Sequence, residues 1–274
     1  MHGLRLAYGS VVVLEDIDLT VTAGEVVALT GVNGVGKSTL LSCLAGFRPP
    51  AEGAVTVLGG PPRDNADFWR AVAIVADQPT WYPGLTVREL LDLVRMTHRS
   101  RDGWHLPADE LIEIFGLSAR ADASPLSLSS GQRQRLSLAA ALARPSQLLL
   151  LDEPEQSLDA GFRQQLATLL GEQYAGNGGT VVMATHDHEF ALAAGARVIE
   201  LSDGRVIGDD EYDDTGDEYD EDPDEDGPYD EDDEDADGYG ADAGDQEDAP
   251  DDGFDDPVGV TDAADIPDPA RRDR

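Results

Sequence analysis

Short apolar runs alternate with longer stretches of helical spacing along the first 208 residues. Segments 11–14 and 17–21, enriched in Val and Thr, read as strands. Val26–Thr30, bounded by Gly24 and Gly31, reads as a buried strand. A helix is expected over 37–45, closed by Gly46. Another strand over 54–58 ends where Gly59-Gly60-Pro61-Pro62 breaks the chain. Val72–Val75 is a further strand, and 148–151 and 181–184 are wholly apolar, as central parallel strands are. Segments 85–94, 108–115, 136–142 and 162–170 carry helical periodicity. Strands alternating with helices predict an α/β fold with a mostly parallel sheet. No internal repeat is visible in this part.

Composition divides the chain of 274 residues at about Gly208. From Asp209 onward, 32 acidic residues face only Arg271, Arg272 and Arg274, so most of the net charge of −37 lies there. Residues 1–208 suffice for one domain with a sizeable core. Residues 209–274 are rich in Asp, Glu, Gly and Pro and poor in aliphatics, and an acidic disordered tail is expected. Asp222 to Gly227 matches the first half of a calcium loop, but Asp233 stands where the twelfth-position Glu belongs, and specific calcium binding is not expected. Cys43 alone supports neither a disulfide framework nor a Cys-based zinc site. No run approaches 18 apolar residues, and Met1 to Arg5 lacks an apolar signal core. Action at a membrane would therefore need a partner.

Between a strand and a helix stands Gly31-Val32-Asn33-Gly34-Val35-Gly36-Lys37-Ser38, which fits G-x-x-x-x-G-K-[ST]. Glycines let successive backbone N–H groups converge on a phosphate, and the positive end of the following helix reinforces them. Lys37 can reach the β- and γ-phosphates, and Ser38 offers a hydroxyl to Mg²⁺. Further on, an apolar strand ends in Asp152 and Glu153. Asp152 suits the metal shell and Glu153 the attacking water. An acidic pair after a strand is commonplace on its own; the phosphate loop upstream gives it weight.

Leu128-Ser129-Ser130-Gly131-Gln132, directly before a helix, resembles the signature of the ABC (ATP-binding cassette) ATPases. Other positions match that family in order. Tyr8 matches the aromatic that stacks on adenine, Gln78 the Gln that senses Mg²⁺ and the transport partner, and Ser157-Leu158-Asp159 the loop that touches the opposite subunit. Thr185-His186-Asp187 places His186 as the switch histidine. The resemblance covers about 4–206 and implies a P-loop NTPase (RecA-like) core, a small antiparallel β subdomain and a helical insert at about 84–130. It implies Glu153, His186 and Gln78 as catalytic, and Ser38, Gln78 and Asp152 around Mg²⁺. ATP would be held by Tyr8, Gly31, Asn33, Gly34, Gly36, Lys37, Ser38 and Thr39, and from across a dimer by Ser129, Gly131, Gln132 and Asp159.

Implied partners are membrane-spanning permease subunits and a second cassette, as homodimer or heterodimer, with no nucleic acid; the implied location is the inner face of the cell membrane. Ser130 departs from the family's glycine. The body ends near Val206 without an appended regulatory domain, which resembles export cassettes more than importers. A soluble ABC-type ATPase working on ribosomes or DNA is the alternative, but two cassettes or a coiled-coil arm would be expected there. A nucleotide switch without turnover is a third reading, against which Gln78, Glu153 and His186 together speak. Taken singly, Tyr8 competes with an ordinary aromatic and His186 with a buried structural histidine.

Overall fold

In the computed structural model, residues 1–75, 81–82, 84–98 and 104–210 are described, all within the unit Met1–Asp217. Gln78 and the acidic segment from residue 211 onward lie outside the described residues.

A three-stranded antiparallel sheet has the order β2-β1-β4, from β1 (His2–Tyr8), β2 (Val11–Ile17) and β4 (Glu52–Ala54). Leu4 and Leu6 of β1 and Leu14 and Ile17 of β2 are buried. Asp16 has φ 56°, and in place of the two strands expected over 11–14 and 17–21 there is β2 alone, which ends at Ile17. The strand expected over 54–58 lies at Glu52–Ala54 instead, because Leu58, at φ 50°, already belongs to a turn closed by Val57 and Gly60.

The larger sheet has the order β5-β6-β7-β3-β8-β9, from β5 (Val72–Val75), β6 (Leu148–Asp152), β7 (Thr180–Ala184), β3 (Val26–Thr30), β8 (Arg197–Ser202) and β9 (Arg205–Asp210). Its pairs are parallel except β8–β9. Asp209 pairs with Ile199 and Asp210 with Val198, so the ladder runs two residues past the change in composition. Alternate residues of one strand enter opposite cores. Leu149 and Leu151 join Val181 and Met183 on the face covered by α5 (Ser130–Leu142), α6 (Ala160–Thr168) and α7 (His188–Ala193). Leu148 and Leu150 join Val182, Leu29 and α1 (Lys37–Leu44) on the other. Burial on both faces explains why these strands are apolar throughout.

α2 (Ala66–Ala71) precedes β5, and α3 (Val87–Thr97) and α4 (Ala108–Ile114) form the helical insert that leads into α5. α3 starts two residues later than the periodicity suggests because Thr86 and Glu89 form a reciprocal cap. Among the described residues no helix is long and apolar enough to cross a membrane.

The register places the functional surface. Leu29 of β3 and Asp152 of β6 both lie level with Ala184 of β7. The turns leaving these three adjacent strands therefore emerge side by side, at the carboxyl edge where open parallel sheets bind ligands.

Candidate active site

The turn after β3 is the phosphate-type loop, and its geometry requires glycine. A Cβ on Gly31 (φ 128°) would stand 2.3 Å from the Leu201 carbonyl oxygen, and one on Gly36 (φ 118°) would stand 2.7 Å from Leu14 Cδ2. Gly36 begins α1 with no side-chain cap. The first N–H groups of α1 thus face the loop without a side-chain acceptor, as an anion site needs. Lys37 is buried, and its ammonium donates to the carbonyls of Gly31 (2.7 Å) and Val32 (3.2 Å). Asn33 and Gly34 are exposed at the tip, and Thr39 is half-buried in the first turn of α1.

Ser38 Oγ donates to Asp152 Oδ1 at 2.9 Å, joining the loop to the end of β6. Two adjacent hard oxygen donors suit a divalent cation such as Mg²⁺. Among the described residues no group of three or more His, Cys, Asp or Glu could hold a metal ion. Glu153 adopts φ 46°, a conformation costly for a side-chain-bearing residue and concentrated at functional sites. Its N–H reaches the Ala184 carbonyl at 2.9 Å and Gln156 donates to its Oε2 at 3.2 Å.

His186 follows β7 and its side chain is 58% exposed, which excludes the buried structural histidine. Its Nδ1 lies 3.7 Å from Glu153 Oε1 and 3.8 Å from Glu155 Oε1. Thr185 is anchored to the Leu29 carbonyl (3.1 Å). Asp187 caps α7 through the Phe190 N–H (3.0 Å) and pairs with Arg163 (2.8 Å). Partial burial works against ionisation of Asp187, but these two donors hold its carboxyl below the ordinary aspartate range. The loop 31–38, Asp152, Glu153 and His186 therefore share one surface. Tyr8, 44% exposed, has the Arg48 guanidinium 5.3 Å from its ring centre.

Ser129, Gly131 and Gln132 lie at the start of α5. Ser129 accepts from the Gln132 N–H (3.3 Å), and the Gln132 side chain accepts from the Ser129 N–H (3.1 Å). None of their hydrogen bonds among the described residues reaches residues 31–38. The start of α5 packs instead on the turn after β6. A Cβ on Gly131 would stand 2.8 Å from the Ser157 carbonyl oxygen, and Gln134 donates to the Pro154 carbonyl at 3.4 Å. Arg135 pairs with Asp159 at 2.5 Å while lying over the Phe162 ring. Asp159 also accepts the Phe162 N–H (3.0 Å), and that bond, with Arg135 nearby, holds its carboxyl below the ordinary aspartate range. Ser130 is the first residue of α5 and is exposed, so its side chain meets no crowding within the chain.

Sequence reasoning passed over Glu155, Arg135 and Arg163. Glu155 looks like any solvated charge, yet is buried. His98 is half-buried with Nδ1 2.8 Å from the Val94 carbonyl, and burial lowers its proton affinity.

Comparison with known proteins matches residues 14–156 to the family described as ABC transporter. The aliphatic sulfonates import ATP-binding protein of Frankia alni is 40% identical over 206 residues, 75% of this chain and 78% of the relative. The sulfate/thiosulfate import ATP-binding protein of Synechococcus elongatus is 35% identical over 200 residues, 73% of this chain and 58% of the relative. Among solved structures, the ATP-binding subunit of an ABC transporter superposes with a TM-score of 0.69 at 30% identity, over 78% of this chain and 89% of that one. A dimeric ATP-binding cassette in a post-hydrolysis state with ADP and Pi superposes with a TM-score of 0.66 at 26% identity, over 77% and 97%.

Proposed function

The chain belongs to the ABC transporter family and is an ATP hydrolase of the ABC type, and from this we propose that it drives a membrane importer through ATP-dependent pairing of two cassettes. The observation that carries the site assignment is the level alignment of β3, β6 and β7, which sets Lys37, Ser38, Asp152, Glu153 and His186 on one surface.

In this reading Gly31, Asn33, Gly34, Gly36, Lys37, Ser38 and Thr39 hold the phosphates and Tyr8 stacks on adenine. Ser38 and Asp152, with Gln78, hold Mg²⁺, which when bound would offset phosphate charge. Glu153 accepts a proton from the attacking water. His186 faces the terminal phosphate. Ser129, Gly131 and Gln132 serve the nucleotide of a second cassette, and Asp159 lies in the loop that meets it; a dimeric relative supports that arrangement. Loss of the terminal phosphate on hydrolysis removes the group that bridges the two surfaces, and the pair opens.

Permease subunits are the membrane partners. A groove of about 280 Å³, lined by Trp81, Tyr82, Leu90, Val94, His98 and Arg144, supports their docking beside the helical insert. The chain would then sit on the cytoplasmic face of the membrane. The compact body favoured export, but the relatives described above are import proteins, and import is the direction proposed. Residues 1–208 are proposed as the cassette and 209–274 as a separate acidic tail.

Affinity capture of the tagged chain from solubilised membranes should bring down a multi-span protein. Deleting the gene should then lower uptake of a solute from the medium. Accumulation of that solute inside the cell instead would overturn import while leaving the ATPase assignment standing.

A further inference from the structure

Pro154 directs the chain inward, and the side chain that follows, Glu155, is only 3% exposed. A carboxyl group at that depth requires partners to offset its lost hydration. Its Oε1 accepts a hydrogen bond from the Thr185 hydroxyl, itself fully buried. Its Oε2 has no hydrogen-bond partner among the described residues. An orphaned polar atom in a native interior calls for a physical reason.

The other oxygen, Oε1, is the one that faces both Thr185 and His186. Thr185 is fixed twice more, by its own N–H to Leu29 and by accepting the Asp187 N–H at 3.0 Å. Glu155 therefore rests on a rigid support directly beside His186. The imidazole Nδ1 lies between two carboxyl groups, 3.8 Å from Glu155 and 3.7 Å from Glu153. One is buried and anchored, while the other is more exposed and held through the flexible Gln156 side chain. A carboxylate behind an imidazole fixes which nitrogen carries the proton and how the ring is turned.

We propose that Glu155 is a positioning residue for His186, engaging Nδ1 from the buried side so that Nε2 is presented to the nucleotide and Glu153 is left to the attacking water. This rests on the role given to His186 above. A role confined to locking Thr185 would affect stability and leave the imidazole unchanged.

The experiment uses the full chain labelled with ¹⁵N-histidine, the His186 resonances being identified by their loss in His186→Ala. In the wild type the Nδ1-protonated tautomer should predominate, and Glu155→Gln, which preserves shape, should abolish that bias without lowering the melting temperature. ATP turnover of Glu155→Gln should fall on the order of 10- to 100-fold in kcat, with KM little changed. The double variant with His186→Ala should be no slower than His186→Ala alone, and Glu155→Asp should recover part of the loss. Unchanged tautomers in Glu155→Gln, or effects that multiply in the double variant, would overturn the proposal with the His186 assignment intact. Wild-type turnover by His186→Ala would overturn that assignment itself, and the proposal with it.

Discussion

The turn before α1 and the turn before α5 both present the start of a helix at a nucleotide-directed surface, yet they are completed differently. α1 begins at Gly36 without a side-chain cap, so its leading N–H groups are left for an acceptor from outside the chain. α5 begins at Ser129 with a reciprocal cap, so the N–H groups of Ser129 and Gln132 are already served by the helix's own side chains. The first turn is joined to Asp152 through Ser38, while the second rests on the turn at 154–159. In the proposed function, two cassettes would divide one site along this contrast. The α1 turn needs the phosphate to be complete. The α5 turn carries its own cap, and the Ser129 hydroxyl, which accepts from Gln132, still has its own proton to offer.

The sharpest way to break this division is at Glu153. Glu153→Gln keeps the shape but removes the proposed base, and turnover should fall roughly 10²–10⁴-fold. ATP would then stay between the two surfaces, and light scattering should show a dimer that requires ATP. Wild-type hydrolysis by this variant would place the base elsewhere. At the α1 turn, Lys37→Ala should lower kcat/KM on the order of 10²–10³-fold by removing a donor aimed at developing phosphate charge. ATP-dependent dimerisation should be lost with it. A Lys37→Ala chain that still paired on ATP would show that the α1 turn does not need this side chain to be completed.

At the α5 turn the expected effect is smaller. Ser129→Ala removes the cap and the hydroxyl together, a change worth about 1 kcal/mol at a helix start. Turnover of the paired form should fall about 5- to 10-fold. The affinity of the chain's own 31–38 loop for a fluorescent ATP analogue should hold, because Ser129 does not touch it. A matching loss of affinity would show that the two turns are not separate within one chain.

The same contrast explains what was legible in the sequence. The α1 turn is written in glycine, whose backbone demands show at Gly31 and Gly36, and the α5 turn in a Ser-x-x-Gln cap. Apolar runs gave β3, β6 and β7 because both faces of these strands are buried. β1 and β8 escaped because they alternate, with Leu4 and Leu6 inside and Arg5 partly exposed in β1, and Glu200 exposed between Ile199 and Leu201 in β8. A period-two count would have found them. Glu155 had no such signal. Its burial follows from the turn at Pro154 and the approach of Thr185, contacts between residues 30 apart that spacing cannot show.

Glu155 also gives the finest test of how self-contained the α1 side of the site is. Burial holds its carboxyl above the ordinary glutamate range, against the opposing effects of Thr185 and His186. In the unfolded chain the group ionises near about 4.3. Between that value and the higher folded one, the folded chain binds more protons than the unfolded chain, so this group's contribution to stability declines as pH rises. Glu155→Gln has no proton to lose there, and its stability relative to wild type should climb with pH across that interval and then level off. Urea unfolding of both chains from about pH 4 to 8 measures the difference. A difference independent of pH would mean that the carboxyl ionises alike in both states, and that the wall behind His186 opens to water more than its 3% side-chain exposure implies.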